Sequence, residues 1–119
     1  MVVFVCPHGA LKSRLAAAYF NRVAPVAWQA TSAGQQPQQA VSVHAAPLVA
    51  GSDVAGLLDT SPPRPIDVIS DARMVVAIDC ELPGAATWRL DQQEVGEAMR
   101  DELQQRAERL AVELERFRR

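Results

Sequence analysis

The sequence predicts an α/β domain: a doubly wound, three-layer α/β/α sandwich around a four-stranded parallel sheet. Three observations predict it. Four short β-prone runs, Val2–Val5, Val26–Thr31, Ile66–Ile69 and Met74–Ile78, are interleaved with longer segments of helical composition. Val2–Val5, Ile66–Ile69 and Met74–Ile78 do not alternate polar with apolar side chains, so both faces of each should be covered, as in a parallel sheet. The resulting order (strand, helix, strand, helix, strand, strand, helix) is that of an α/β fold. The 119 residues make it a single domain, 1–119, long enough to hold a core without disulfides or metal.

Val2–Val5 is continuously apolar, and Cys6-Pro7-His8-Gly9 cannot continue it as a strand. Ser13–Val23, rich in Leu, Ala and Arg, reads as a helix stopped before Pro25. Val26–Thr31 is the second strand, ended at Gly34, and Gln35–Gln39 is a polar connection. Ala40–Leu58 favours helix but is interrupted by Pro47 and Gly51, giving one kinked helix or two short ones. Ser61–Pro65 must be extended. After the strands Ile66–Ile69 and Met74–Ile78, the segment Gln93–Phe117 spaces Val95, Met99, Leu103, Leu110, Leu114 and Phe117 mostly at helical steps. Acidic residues stand early in it and Arg late, which suits the helix dipole. Right-handed crossovers place every strand's C-terminal end on one edge, where ligands of such sheets bind. Cys6 follows the first strand and Cys80 the last, so both thiols should lie on that edge.

A formal charge of −2 argues against a non-specific grip on nucleic acid or acidic lipid, so neither is expected as a partner. No apolar run is long enough to span a membrane. Met1–Val5 lacks the basic region and long apolar stretch of a secretory signal, so a cytoplasmic protein is expected. Two cysteines are too few for a disulfide scaffold. With His8 and His44 they show none of the close paired spacings of structural zinc, so no metal or other cofactor is expected. Of the twelve basic residues only Lys12 is a lysine.

The strongest chemical signal is VVFV-CPHGALKS-RLAAAYF, a strand, a cysteine, a short loop and a serine opening a helix. A strand feeding a tight turn into a helix N-terminus aims successive backbone N–H groups at one point, a nest for a tetrahedral oxyanion. Pro7, His8, Gly9, Ala10, Leu11, Lys12 and Ser13 would form it. The same field favours a Cys6 thiolate, and therefore a nucleophile near neutral pH. Ser13 could donate a hydrogen bond to that thiolate, and Gly9 permits the positive φ that a tight cradle needs. The alternative is a small apolar cysteine buried at a strand end.

Val5-Cys6, five residues, then Lys12-Ser13 resembles the low-molecular-weight protein tyrosine phosphatase superfamily, which includes the thiol-linked arsenate reductases. Its pattern is a strand ending in V-C, five residues, then R-[ST]. The reductase-like branch, with C-x-H-N-A-G-R-S, is similar to Cys6-Pro7-His8-Gly9-Ala10-Leu11-Lys12-Ser13. Thr31-Ser32-Ala33-Gly34, the segment from Leu58-Asp59-Thr60-Ser61 to Pro65, and Ala72-Arg73-Met74-Val75-Val76 resemble further family segments in order. The resemblance implies a low-molecular-weight phosphatase-like fold over nearly the whole chain. It makes Cys6 the nucleophile and Lys12 and Ser13 its helpers. Asp91, near Trp88, becomes the acid for the leaving group. Cys80 stands roughly where some relatives have a resolving cysteine and is a possible redox partner of Cys6. His8 would line the mouth of the site.

Two departures matter. Lys12 stands where the family's arginine clamps two oxygens, offering a point donor in place of a planar fork. The family's Asp-Pro is here Asp91-Gln92, with no Tyr or Phe beside it to grip a phosphotyrosine ring. Arg14, two residues into the helix, should point elsewhere. Three functions follow from the resemblance. One is hydrolysis of a phosphate monoester through a phosphocysteine. Another is arsenate reduction with an external thiol. The third is a weakened relative that binds a phosphate-like anion or a partner.

Overall fold

The computed structural model describes residues 1–116, with the side chains of residues 68 and 69 excepted. Four parallel strands, β1 (Val2–Cys6), β2 (Ala30–Gly34), β3 (Met74–Ile78) and β4 (Ala86–Trp88), form one sheet in the order β2-β1-β3-β4. The helices are α1 (Lys12–Val23), α2 (Ala45–Val49) and α3 (Glu97–Arg116). The chain leaves β1 on one side for β2 and returns on the other for β3, so the strand order reverses beside β1, where such sheets open a ligand crevice.

β1 is the centre of the molecule, with all five residues buried. Its alternating side chains feed two separate cores. Val2, Phe4 and Cys6 join Leu15, Phe20, Met99 and Leu103 from α1 and α3. Val3 and Val5 join Ala33, Ala77 and Cys80, covered by Ile66, Ala72, Leu82 and Ala85. The second layer is therefore thin, made of a short 3-10 segment and a loop. Three consecutive buried alanines, Ala16, Ala17 and Ala18, give α1 the slim body it needs between sheet and neighbours. Phe4 packs edge-on against Phe20 at 5.9 Å and against Trp88 at 5.4 Å, tying α1 and β4 to the central strand.

The structure corrects two strand assignments. Ile66–Asp71 is a 3-10 helix, and the fourth strand is Ala86–Trp88. Three prolines, at positions 62, 63 and 65, leave the approach to Ile66 without ladder donors, so among the described residues its strand-type pairing with β2 is the single bridge Gly34–Pro65. The second strand starts at Ala30 because the Asn21 amide exchanges two hydrogen bonds with the Ala30 backbone, at 2.8 and 3.0 Å. Residues 25–28 form a turn instead, leaving Val26 89% exposed. Ala40–Leu58 takes the two-piece form, α2 followed by a 3-10 turn at Ala55–Leu57. Pro47 fits within the first turn of α2, where its missing N–H costs little. α3 begins after Gly96 instead of at Gln93 and buries Met99, Leu103, Ala107, Leu110 and Ala111. Val95 is left exposed, and Phe117 lies outside the described residues. No helix among the described residues is long and apolar enough to cross a membrane.

Candidate functional site

Cys6 ends β1, and the chain from Pro7 to Leu11 loops over it into the first turn of α1. Each carbonyl of this loop is held from outside. The N–H groups of Gln35, Gln36, Gln38 and Ser42 donate to the carbonyls of Cys6, Pro7, His8 and Ala10 at 2.8–3.2 Å, and Leu15 N–H donates to Leu11 at 3.0 Å. Arg14 Nε donates to the Gly9 carbonyl at 2.8 Å. In a trans peptide the N–H points opposite to the C=O. With the carbonyls turned outward, the N–H groups of residues 8–12 turn inward, and no acceptor among the described residues takes them. Pro7 has no N–H and contributes only its carbonyl and ring. The result is the anion nest that the loop's position before a helix suggests.

Two glycines set its shape. Gly9 has φ +64°, and a Cβ on it would sit 2.7 Å from the Gly34 nitrogen; a Cβ on Gly34 would sit 2.5 Å from the His8 carbonyl carbon. The loop therefore lies directly on the end of β2, and neither position accepts a side chain.

Beneath the nest the Cys6 thiol, 3% exposed, donates to Ser13 Oγ at 3.1 Å. When the sulfur is ionised the hydroxyl can reverse and donate to it. Lys12 leans over the edge to Asp79, Nζ to Oδ2 2.7 Å. Asp79 follows β3 with a left-handed φ of 53°. It also accepts the Leu90 N–H at 3.0 Å and the Gln93 amide at 3.3 Å. Burial alone would raise its carboxyl, but Lys12 and these donors outweigh burial and hold it below the usual range. Asp79 is thus a fixed anion. Sequence reasoning missed it, although its place at the C-terminal end of a central strand is where site residues of this fold collect.

Arg14, expected to point away, lies wholly buried behind the loop. Besides Gly9 it reaches the Asp59 carbonyl, Nη1 to O 2.6 Å, and its Nη2 has no hydrogen-bond partner among the described residues. The Cβ of a helical residue tilts toward the helix N-terminus, which here returns the side chain to the loop.

An open cleft of about 270 Å³ stands over the thiol. Cys6, Pro7, His8, Ala10, Leu11 and Lys12 of the loop line it, together with Gln38, Ser42, His44 and Val95. His8, exposed, holds its Nδ1 3.4 Å from the Gln36 carbonyl. The structure does not bring Asp91 to this cleft. Its exposed side chain borders a separate depression with Gln92, Asp101 and Glu102, and its N–H is bound by Glu102 at 3.0 Å. Cys80 packs into the core on the other face of the sheet, its thiol 3.7 Å from the Val5 carbonyl, and both cysteines are free. Burial, and next the nearby Cys6, push the Cys80 thiol up. No cluster of potential metal ligands occurs among the described residues.

The fold is found in known structures. The chain has the fold of the low-molecular-weight protein tyrosine phosphatase and arsenate reductase superfamily. It superposes on an arsenate reductase from Archaeoglobus fulgidus with a TM-score of 0.76 and 25% identity, over 94% of this chain and 99% of that one. A thioredoxin-dependent arsenate reductase from Corynebacterium glutamicum gives a TM-score of 0.76 at 22% identity, over 96% of this chain and 61% of that longer one. A YwlE arginine phosphatase variant carrying a phosphorylated active-site serine gives 0.75 at 20%, over 98% and 97%. No protein-family model matches the sequence, and no curated protein sequence matches it significantly.

Proposed function

We propose that this chain is a cysteine-dependent phosphatase of small phosphate monoesters. The observation that carries the reading is the loop whose carbonyls are all bound outward above a buried thiol. The phosphoryl oxygens sit on the N–H groups of residues 8–12. The Cys6 thiolate attacks phosphorus in line, an S–P bond forms and the ester P–O bond breaks. Water then cleaves the phosphocysteine, releasing phosphate and returning the thiolate, with Ser13 stabilising the departing sulfur. Asp79 is held ionised, Asp91 borders another depression, and among the described residues no carboxyl group lines the cleft to protonate the leaving oxygen. Substrates with good leaving groups, such as aryl phosphates, are therefore turned over best. The YwlE variant phosphorylated on its active-site serine supports the covalent step.

The arsenate reductases among the structural neighbours favour a second reading. Cys6 attacks arsenic and water leaves. One external thiol then attacks the Cys6 sulfur, and the S–As bond breaks with its electron pair on arsenic to release arsenite. A second external thiol opens the mixed disulfide, leaving as the external disulfide and returning Cys6 as the thiol. The reductant must come from outside, because Cys80 is packed into the opposite face of the sheet. A weakened anion-binding relative is the third reading. In assays with p-nitrophenyl phosphate we expect slow turnover that Cys6→Ser abolishes. Lys12→Arg should raise the rate by up to about a hundredfold, the usual worth of one transition-state donor. Turnover that survives Cys6→Ser overturns the phosphatase reading. No turnover, with arsenate-dependent thiol consumption, selects the second. No turnover in either assay, with phosphate protecting Cys6 from alkylation, selects the third.

A further inference from the structure

The structure assigns to Arg14 the role of positioning residue for the Cys6 loop: it aims the Ala10 N–H into the nest and places a buried positive charge behind it. This inference rests on the anion-binding reading of the loop. Gly9 cannot hold the loop through a side chain of its own, because any Cβ there meets the backbone of Gly34. The support comes instead from α1, where Arg14 Nε takes the Gly9 carbonyl at 2.8 Å. That bond fixes the Gly9–Ala10 peptide plane, and in a trans peptide the Ala10 N–H then points the opposite way, toward the bound anion.

Packing does not account for an arginine here. Its guanidinium is fully buried, its Nη2 lacks an acceptor among the described residues, and the Asp59 carboxylate stands 3.9 Å from Nη1. An apolar side chain of similar volume would fill the space without the desolvation cost. The other charges near Cys6 are Lys12, already paired with Asp79, and the exposed His8 and His44 of the cleft. Cys80 lies across the sheet, while Asp59 and Arg64 pair with each other behind Arg14. Arg14 is the one wholly buried cation among these groups.

The test is the pH profile of Cys6 alkylation by iodoacetamide, in a Cys80→Ser background, with and without inorganic phosphate. In Arg14→Gln the profile should move to higher pH by about 1 unit, and the phosphate needed for protection should rise about tenfold. Arg14→Lys keeps the charge but cannot span both carbonyls, so it should restore the profile while phosphate protection stays weak. An unmoved profile in folded Arg14→Gln overturns the inference. If that variant fails to fold, Arg14→Lys decides: full phosphate protection overturns the inference and weakened protection supports it. Should phosphate not protect the wild-type thiol, the anion-binding reading fails on its own. The profile shift then still reports the charge that Arg14 supplies to Cys6.

Discussion

In the proposed phosphatase Lys12 stands where the resemblance expects a guanidinium fork, and its ammonium is engaged by Asp79 at 2.7 Å. An incoming oxyanion must therefore compete with a carboxylate that is held ionised. Asp79→Asn removes that competitor with little change of shape, and Asn tolerates the left-handed φ of 53° found there. Phosphate binding, read by protection of Cys6 from alkylation, should tighten severalfold, most at low salt. The same change breaks a half-buried ion pair and should lower stability by about 1 kcal/mol, measured as the thermal midpoint. Tighter binding together with lower stability would show that the pair serves the fold at the expense of the anion. At this scale the sequence was informative where chemistry is local: Cys6, Ser13 and the glycine at position 9 could be read from the loop alone. It was silent on Asp79 and turned Arg14 away from the loop that it supports. Their roles depend on a partner 67 residues away for Lys12 and on the carbonyl of Asp59, 45 residues distant, for Arg14.

Between elements, the seam of the β1 loop with β2 sets the nest. Gly34 pairs with Cys6 in the ladder, and its N–H donates to the Arg64 carbonyl at 2.9 Å. A methyl group at Gly34 would meet the backbone of His8, which cannot swing aside as a side chain can. Gly34→Ala should therefore cost on the order of 2–4 kcal/mol by overpacking. It should also weaken phosphate protection of Cys6 even in the fraction that folds, whereas Gly56→Ala, in open space, should change neither. Thermal unfolding and alkylation of the two variants check this. Element legibility followed the same division between local and distant causes. α1 and β3 are visible in composition and apolar continuity. β2 is displaced by a side-chain clamp from Asn21. β4 is three residues long and mostly exposed, too short and mixed to stand out, yet it closes the sheet edge. Ile66–Asp71 has strand-like residues but follows a proline-rich stretch that denies it a ladder.

Over the whole molecule, strand order brings the ends of β1 and β3 to one edge, so Cys6, Lys12 and Asp79 meet although they are far apart in sequence. Parallel topology made the shared edge foreseeable for Cys6 and Cys80, but not the face on which each thiol lies. Cys6 and Cys80 share the edge but belong to cores on opposite sides of the sheet. Behind the nest, the segment before the 3-10 helix is tied down by Asp59, which accepts Ser61 Oγ and N–H at 2.6 and 2.9 Å and pairs with Arg64. Burial alone would raise this carboxyl, but the hydrogen bonds from Ser61 and Arg64 overcome that and bring it to about 2. Asp79 is likewise held below its ordinary range. A carboxyl depressed in the folded state contributes stability above its unfolded value, near pH 4, and loses it as pH falls through the folded value. The two groups should therefore contribute fully and evenly to the thermal midpoint between about pH 5 and 7, and the midpoint should fall between about pH 4 and 2. Asp59→Asn should lower the midpoint at neutral pH and flatten the acid limb, because the neutral amide has no proton to take up. An acid limb as steep in Asp59→Asn as in the wild type would mean that the Asp59–Ser61–Arg64 tie does not hold the back of the site in solution.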